Sequence, residues 1–204
     1  GLGIYELYLN GEKIGDEYLA PGFHSYDFWQ QYQTYDVTEA LQAGGNAIGF
    51  MLGDGWFKGR FGFDGGYEDL YGDQFRLIAE CIVTYEDGTE EIIASDDTWE
   101  VAEGPLVSSS IYDGEVYDAN LEIDGWNKYS ESESAVCWER MQLSDTDTEE
   151  LQARLSIPVK IVDAFVPELI ITPAGEQVLD FKQNMTGWIT FSADVPDGTV
   201  ITYE

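Results

Sequence analysis

One residue in three between Gly53 and Asp73 is glycine, which excludes a helix or a regular strand from the middle of this chain. Seven glycines fall within 21 residues, and each adds backbone entropy that folding must remove. The same stretch holds Trp56, Phe57, Phe61, Phe63, Tyr67 and Tyr71, too many rings for a flexible linker. Asp54, Asp64, Glu68, Asp69 and Asp73 add carboxylates. Such a mixture suits an ordered loop whose backbone approaches a ligand closely, with rings to cover it and oxygens to orient it. It suits equally a long connection that packs its rings on the core.

Helical periodicity is scarce elsewhere. Two apolar segments, residues 5–9 and Lys13-Ile14, flank Asn10-Gly11, the preferred pair for a two-residue hairpin turn. Asp36-Val37-Thr38-Glu39 resembles a capping box opening a short helix over 37–42, closed by Gly44-Gly45. Residues 47–52 read as a buried strand feeding the glycine-rich loop. Residues 75–85 alternate as a half-buried strand with Cys81 on its inner face, and Asp87-Gly88 turns it into 89–94. Residues 99–101 and Leu106-Val107 are further short strands. Residues 108–119 form a second loop, in which tyrosines and carboxylates alternate. The sum is an all-β antiparallel sandwich.

A polar loop, Ser130-Glu131-Ser132-Glu133-Ser134, and an acidic, apolar-free stretch at 144–150 mark a boundary. The expected organisation is a domain at 1–143, a linker at 144–156 and, at 157–204, either a partial second β-domain or strands that complete the first. Strands are predicted there at 159–166, 176–180, 188–192 and 200–203. Strand-like residues at both ends suggest a segment cut from a longer polypeptide.

The formal charge is −31, from 9 Lys+Arg against 40 Asp+Glu. Such a surface repels nucleic acid and anionic membranes but accepts a neutral ligand such as a sugar, and it favours divalent cations. Because the acids are spread along the chain, solubility explains them as well. No apolar run reaches the ~18 residues of a membrane span, and the opening residues read as strand rather than secretion signal. Cys81 and Cys137 lack a CxxC spacing, and Cys81 reads as a free core thiol.

The single histidine, His24, leaves no Ser-His-Asp triad or His-based zinc cluster to assemble, and in its turn-rich setting it reads as structural. With 40 acids present, no carboxylate pair is singled out for glycoside hydrolysis. Calcium suits the two loops better. Asp54, Asp64, Glu68, Asp69 and Asp73 are hard donors, with Asp113, Glu115 and Asp118 from the second loop to complete a shell, or else all are solvated surface acids. Trp56, Phe61, Phe63, Tyr67, Tyr71, Tyr112 and Tyr117 offer either a flat surface for a sugar or core packing. Trp56, between glycines, is the ring expected to be exposed. Arg60 clamps a ligand hydroxyl or pairs with a nearby acid.

Several ordered segments resemble the N-terminal region of bacterial α-L-rhamnosidases. They are Tyr5-Glu6-Leu7-Tyr8-Leu9-Asn10-Gly11, Tyr32-Gln33-Thr34-Tyr35-Asp36-Val37-Thr38, Leu52-Gly53-Asp54-Gly55-Trp56-Phe57-Lys58-Gly59 and Ile111-Tyr112-Asp113-Gly114-Glu115-Val116-Tyr117-Asp118-Ala119. Asp180-Phe181-Lys182-Gln183-Asn184-Met185-Thr186-Gly187-Trp188 is similar to the family's DFGQNMxGW segment, with Lys182 where glycine is usual. The resemblance implies a galactose-binding-like jelly roll followed by the first strands of a second β-sandwich. It places the catalytic (α/α)6 barrel further along the parent chain, so this chain is expected not to cleave glycosides by itself. It also implies binding of L-rhamnose-containing glycans, helped in some members by Ca2+. The implied ligand contacts are Trp56, Arg60, Asp64, Tyr112, Asp113 and Glu115, with Asp64 and Asp113 as metal ligands. The rival expectation is a scaffold that supports the barrel or a homodimer interface.

Overall fold

Fifteen short strands and two three-residue 3-10 turns organise the described residues (1–130, 137–145 and 150–203) of a computed structural model of the chain. The strands are Ile4–Leu9 (β1), Glu12–Lys13 (β2), Glu17–Tyr18 (β3), Gln30–Tyr32 (β4), Ile48–Gly53 (β5), Glu80–Thr84 (β6), Glu90–Ala94 (β7), Glu100–Val101 (β8), Leu106–Ser110 (β9), Gly114–Tyr117 (β10), Glu139–Arg140 (β11), Leu151–Ala153 (β12), Val159–Lys160 (β13), Glu168–Ile171 (β14) and Gln177–Asp180 (β15). The architecture is all-β, as expected. No helix among the described residues is long and apolar enough to cross a membrane. The chain divides into two compact units, Gly1–Ile161 and Val162–Glu204.

The first unit is built on β1. Its alternation buries Tyr5, Leu7 and Leu9 and leaves Ile4, Glu6 and Tyr8 half-buried, the period of two that a strand dictates. Along its whole length β1 pairs antiparallel with β5, and at its end with β2. Asn10 and Gly11 both take positive φ, 53° and 92°, so the Asn-Gly turn has the twist that a tight hairpin needs. The Asn10 side chain does more than turn the chain: it donates to the Ala40 carbonyl and accepts from the Ala47 amide.

Two late segments return to the beginning of the chain. β12 runs parallel to β4, and β13 antiparallel to β3. A nearly buried cluster fastens this return: Arg154 forms an ion pair with Glu17, which also accepts from the Tyr35 hydroxyl. Burial pushes the Glu17 carboxyl up, but the hydrogen bonds from Arg154 and Tyr35, with the positive charges of Arg154 and Lys13, together outweigh it and hold the group below its usual value.

The structure departs from the sequence reading in several places. β12 lies within the segment 144–156, and β13 joins the first unit although it falls after residue 157. Residues 146–149 of that segment, and 131–134 of the polar loop, lie outside the described residues. The predicted helix is a 3-10 turn at Thr38–Ala40. Asp36 accepts from the Thr38 amide and hydroxyl, a local Asx turn that competes with a helical start. The strand predicted over 75–85 begins only at Glu80, and the second loop is largely the hairpin β9–β10. Cys81 is free and half-buried.

In the second unit β14 and β15 form an antiparallel hairpin. The segments 188–192 and 200–203 have β-branched and aromatic composition but form no regular strand and stay irregular. Lys182 has φ 63°, the left-handed region that favours glycine, and its amide and ammonium both reach the Asp180 carboxylate. The turn is therefore kept despite the substitution, with a polar tie in place of conformational ease.

Candidate functional site: an aromatic face carried by two joined loops

β5 ends at Gly53, and the glycine-rich loop folds straight back over β9. Asp54 and Ser109 bind one another twice: the Asp54 amide donates to the Ser109 hydroxyl at 2.8 Å, and the Ser109 amide donates to the Asp54 carboxylate at 2.9 Å. A bridge between Gly55 and Ser110 extends the contact. Gly59 permits it, because a Cβ there would lie 2.5 Å from the Gly55 carbonyl oxygen and 3.2 Å from the Ser110 Cα. Phe57 turns inward to form the core with Leu2 and Tyr26, and Trp56 and Tyr71 pack against that cluster.

Further along, Phe61 and Tyr67 exchange backbone hydrogen bonds around a tight turn in which Asp64, Gly65 and Gly66 all have positive φ. The turn carries Phe63 and Tyr67 outward, 84% and 73% exposed. Phe23 stacks on Phe61 at 5.5 Å, and Tyr112, from the β9–β10 turn, meets Phe61 and Phe63 edge-on at 6.3 and 5.9 Å. The result is a ridge of partly exposed rings contributed by three segments of the chain. It is an open surface. A cleft of about 30 Å³ beside Pro21 and another of about 170 Å³ between residues 35–41 and 82–84 lie on other parts of the first unit.

At the edge of the ridge, Arg60 grips Asp113. Its Nε lies 3.0 and 2.8 Å from the two carboxylate oxygens, its Nη2 2.7 Å from Oδ1, and its Nη1 donates to the Gly62 carbonyl at 2.7 Å. The guanidinium also lies 5.3 Å from the Tyr112 ring centroid. Hydrogen bonding to Arg60 holds the Asp113 carboxyl below the usual carboxylate range. Ser110 adds a hydroxyl at 3.2 Å.

The structure thus brings Arg60, Tyr112 and Asp113 together. Trp56 is half-buried against the core instead of exposed, because the flanking glycines let the loop close down over it. Asp64 stands exposed at the tip of its turn. Glu115 is exposed on β10, across from Ser109. A calcium shell does not fit these residues: Asp113 is occupied by Arg60, and among the described residues no group of three or more Asp, Glu, His or Cys could hold a metal ion. Sequence reasoning missed Phe23, whose position after Pro21-Gly22 signalled only a turn, and the role of Asp54, whose partner lies 55 positions away.

The all-β chain has known counterparts. Residues 1–163 match the family model described as the α-L-rhamnosidase N-terminal domain. An α-L-rhamnosidase of Streptomyces avermitilis is 37% identical over 98% of this chain and 19% of its own length, and one of Formosa agariphila is 34% identical over 98% and 21%. Among solved structures, the native enzyme from Aspergillus terreus superposes with a TM-score of 0.85 at 39% identity, over 90% of this chain and 21% of that one. The Streptomyces avermitilis enzyme complexed with L-rhamnose gives 0.81 at 39% identity, over 90% and 18%. The chain belongs to the α-L-rhamnosidase N-terminal domain family. It spans about a fifth of the length of these relatives.

Proposed function

We propose that this chain is a non-catalytic accessory domain of a larger α-L-rhamnosidase, and that its aromatic face holds L-rhamnose-containing glycans for hydrolysis by a domain elsewhere in the parent. The observation that carries this reading is the exposed ring ridge of Phe23, Phe63, Tyr67 and Tyr112 beside the charged pair of Arg60 and Asp113. A deoxy sugar has an apolar C–H face and a hydroxylated one. Rings suit the first, and a guanidinium with an adjacent carboxylate suits the second. Binding would act through proximity, by raising the local concentration of substrate at the tethered catalytic domain.

Calorimetric titration of L-rhamnose into the chain is the test. Saturable heat is expected, and Tyr112→Ala is expected to weaken it roughly tenfold, the worth of one well-placed ring contact. The absence of heat from folded protein would remove the glycan reading.

A second reading is favoured by a separate observation. Ile82 and Ile92 are cross-strand partners in β6–β7, yet they are 56% and 60% exposed. An uncovered apolar pair on a paired sheet suits a scaffold whose face is closed by the rest of the parent chain.

A further inference from the structure

We propose that Arg60 is the resident cation of the aromatic face: its guanidinium, in place of a metal ion, neutralises Asp113 and ties the glycine-rich loop to the β9–β10 turn. The face therefore keeps its shape without calcium. The inference about loop assembly stands on geometry alone. Its extension to ligands rests on the glycan reading above.

The argument begins with the donors. A bound calcium ion at this point would need the carboxylate of Asp113 and backbone carbonyls from the glycine turn, since those are the hard oxygens that the two loops present to each other. Arg60 uses that type of donor. Three of its contacts go to Asp113 and one to the Gly62 carbonyl, all between 2.7 and 3.0 Å. A carboxylate held by a planar fork has little lone-pair capacity left for a metal. Asp64, the other expected ligand, is exposed at the turn tip, and although Glu68 lies near enough to act on the Arg60 charge, no group of three acids among the described residues could hold a metal ion.

The fork has a second consequence. A guanidinium carries five N–H groups, and among the described residues these contacts leave one on each terminal nitrogen uncommitted, beside the Tyr112 ring. Two N–H groups fixed in one plane match a pair of vicinal hydroxyls. The ligand class is thus a neutral polyol stacked on Tyr112, recognised by hydrogen bonds from Arg60 instead of by direct coordination to a metal.

Thermal unfolding and L-rhamnose titration of the whole chain test this together. The wild-type midpoint is expected to be the same in EDTA, in millimolar CaCl2 and in MgCl2 at equal ionic strength. Arg60→Ala is expected to lower it by a few degrees in all three. The charge-swapped double variant R60D/D113R is expected to recover at least half of that loss. L-rhamnose heat is expected to survive EDTA and to fall at least tenfold in Arg60→Lys, which keeps the charge but not the fork. A midpoint raised by calcium well beyond magnesium would overturn the proposal, as would an Arg60→Ala variant that melts and binds like wild type. If no buffer yields rhamnose heat, the glycan reading fails, while the melting series still decides the role of Arg60.

Discussion

The imidazole of His24 is 3% exposed and touches the rings of Tyr26 and Trp29, with centroids at 4.0 and 5.4 Å. Among the described residues neither nitrogen has a hydrogen-bond partner. Burial is the main cause that depresses its pKa from 6.5 to about 4, and the nearby Gly22 backbone, out of hydrogen-bonding geometry, opposes it only weakly. Between these two values the unfolded chain binds the proton and the folded chain does not, so stability falls as pH drops from 6.5 towards 4. The slope is about 1.4 kcal/mol per pH unit. His24→Gln is expected to abolish that component, and urea midpoints of both proteins at pH 7 and pH 4.5 check it. The carboxylates contribute to both proteins and cancel in the comparison; equal losses would clear His24 of the effect. A structural histidine was legible from its solitude in the sequence. The exposure of Trp56 was misjudged for a physical reason: glycine permits close approach as readily as it permits display.

Among the elements, the hairpins at Asn10-Gly11 and Asp87-Gly88 were legible because the turn residues fix the register locally. The β9–β10 hairpin was not. Ser108-Ser109-Ser110 has no strong strand preference, and its extended form is set by β10, Asp54 and Gly55, the last two more than fifty positions away. The tyrosines and carboxylates that follow keep no consistent period of two, since Tyr112 and Tyr117 fall on opposite parities, so they gave no strand signal. The same contact explains why the glycine-rich loop is ordered. Gly59→Ala is expected to destabilise the first unit by about 2 kcal/mol, because the new methyl meets backbone atoms of Gly55 and Ser110 that have no rotamer to yield. Chemical denaturation measures it, and a cost below about 0.5 kcal/mol, the scale of an ordinary surface change, would mean that the two loops are not packed as described.

For the molecule as a whole, class and family were legible in ordered motifs spread along the chain, while the choice between a second domain and strands that complete the first was left open by composition. Composition marked a boundary near the acidic stretch, whereas strand pairing continues to Lys160 and the first compact unit to Ile161. Strand pairing over long range leaves no local trace for a reader of the sequence. The apolar pair on β6–β7 supplies a prediction at this scale. Ile82→Lys with Ile92→Lys is expected to leave the isolated chain folded, within about 1 kcal/mol of the parent sequence. In the complete parent chain the scaffold reading expects the same change to lower the melting midpoint by several degrees. Equal behaviour in both contexts would show that this face meets solvent in the parent too.

The return of the chain to its beginning has a consequence for how the protein is made. Leu155 reaches Gln31 across 124 positions, and Lys160 reaches Asp16 across 144. β3 and β4 therefore emerge from the ribosome long before their partners exist. At ordinary synthesis rates they wait roughly 10 s with open edges, and closing so long a loop is slow in its own right. During that interval the carboxylates scattered along the nascent chain have a task unconnected with any ligand: like-charged chains repel one another, so the waiting strands find their own partners before they find a neighbour's.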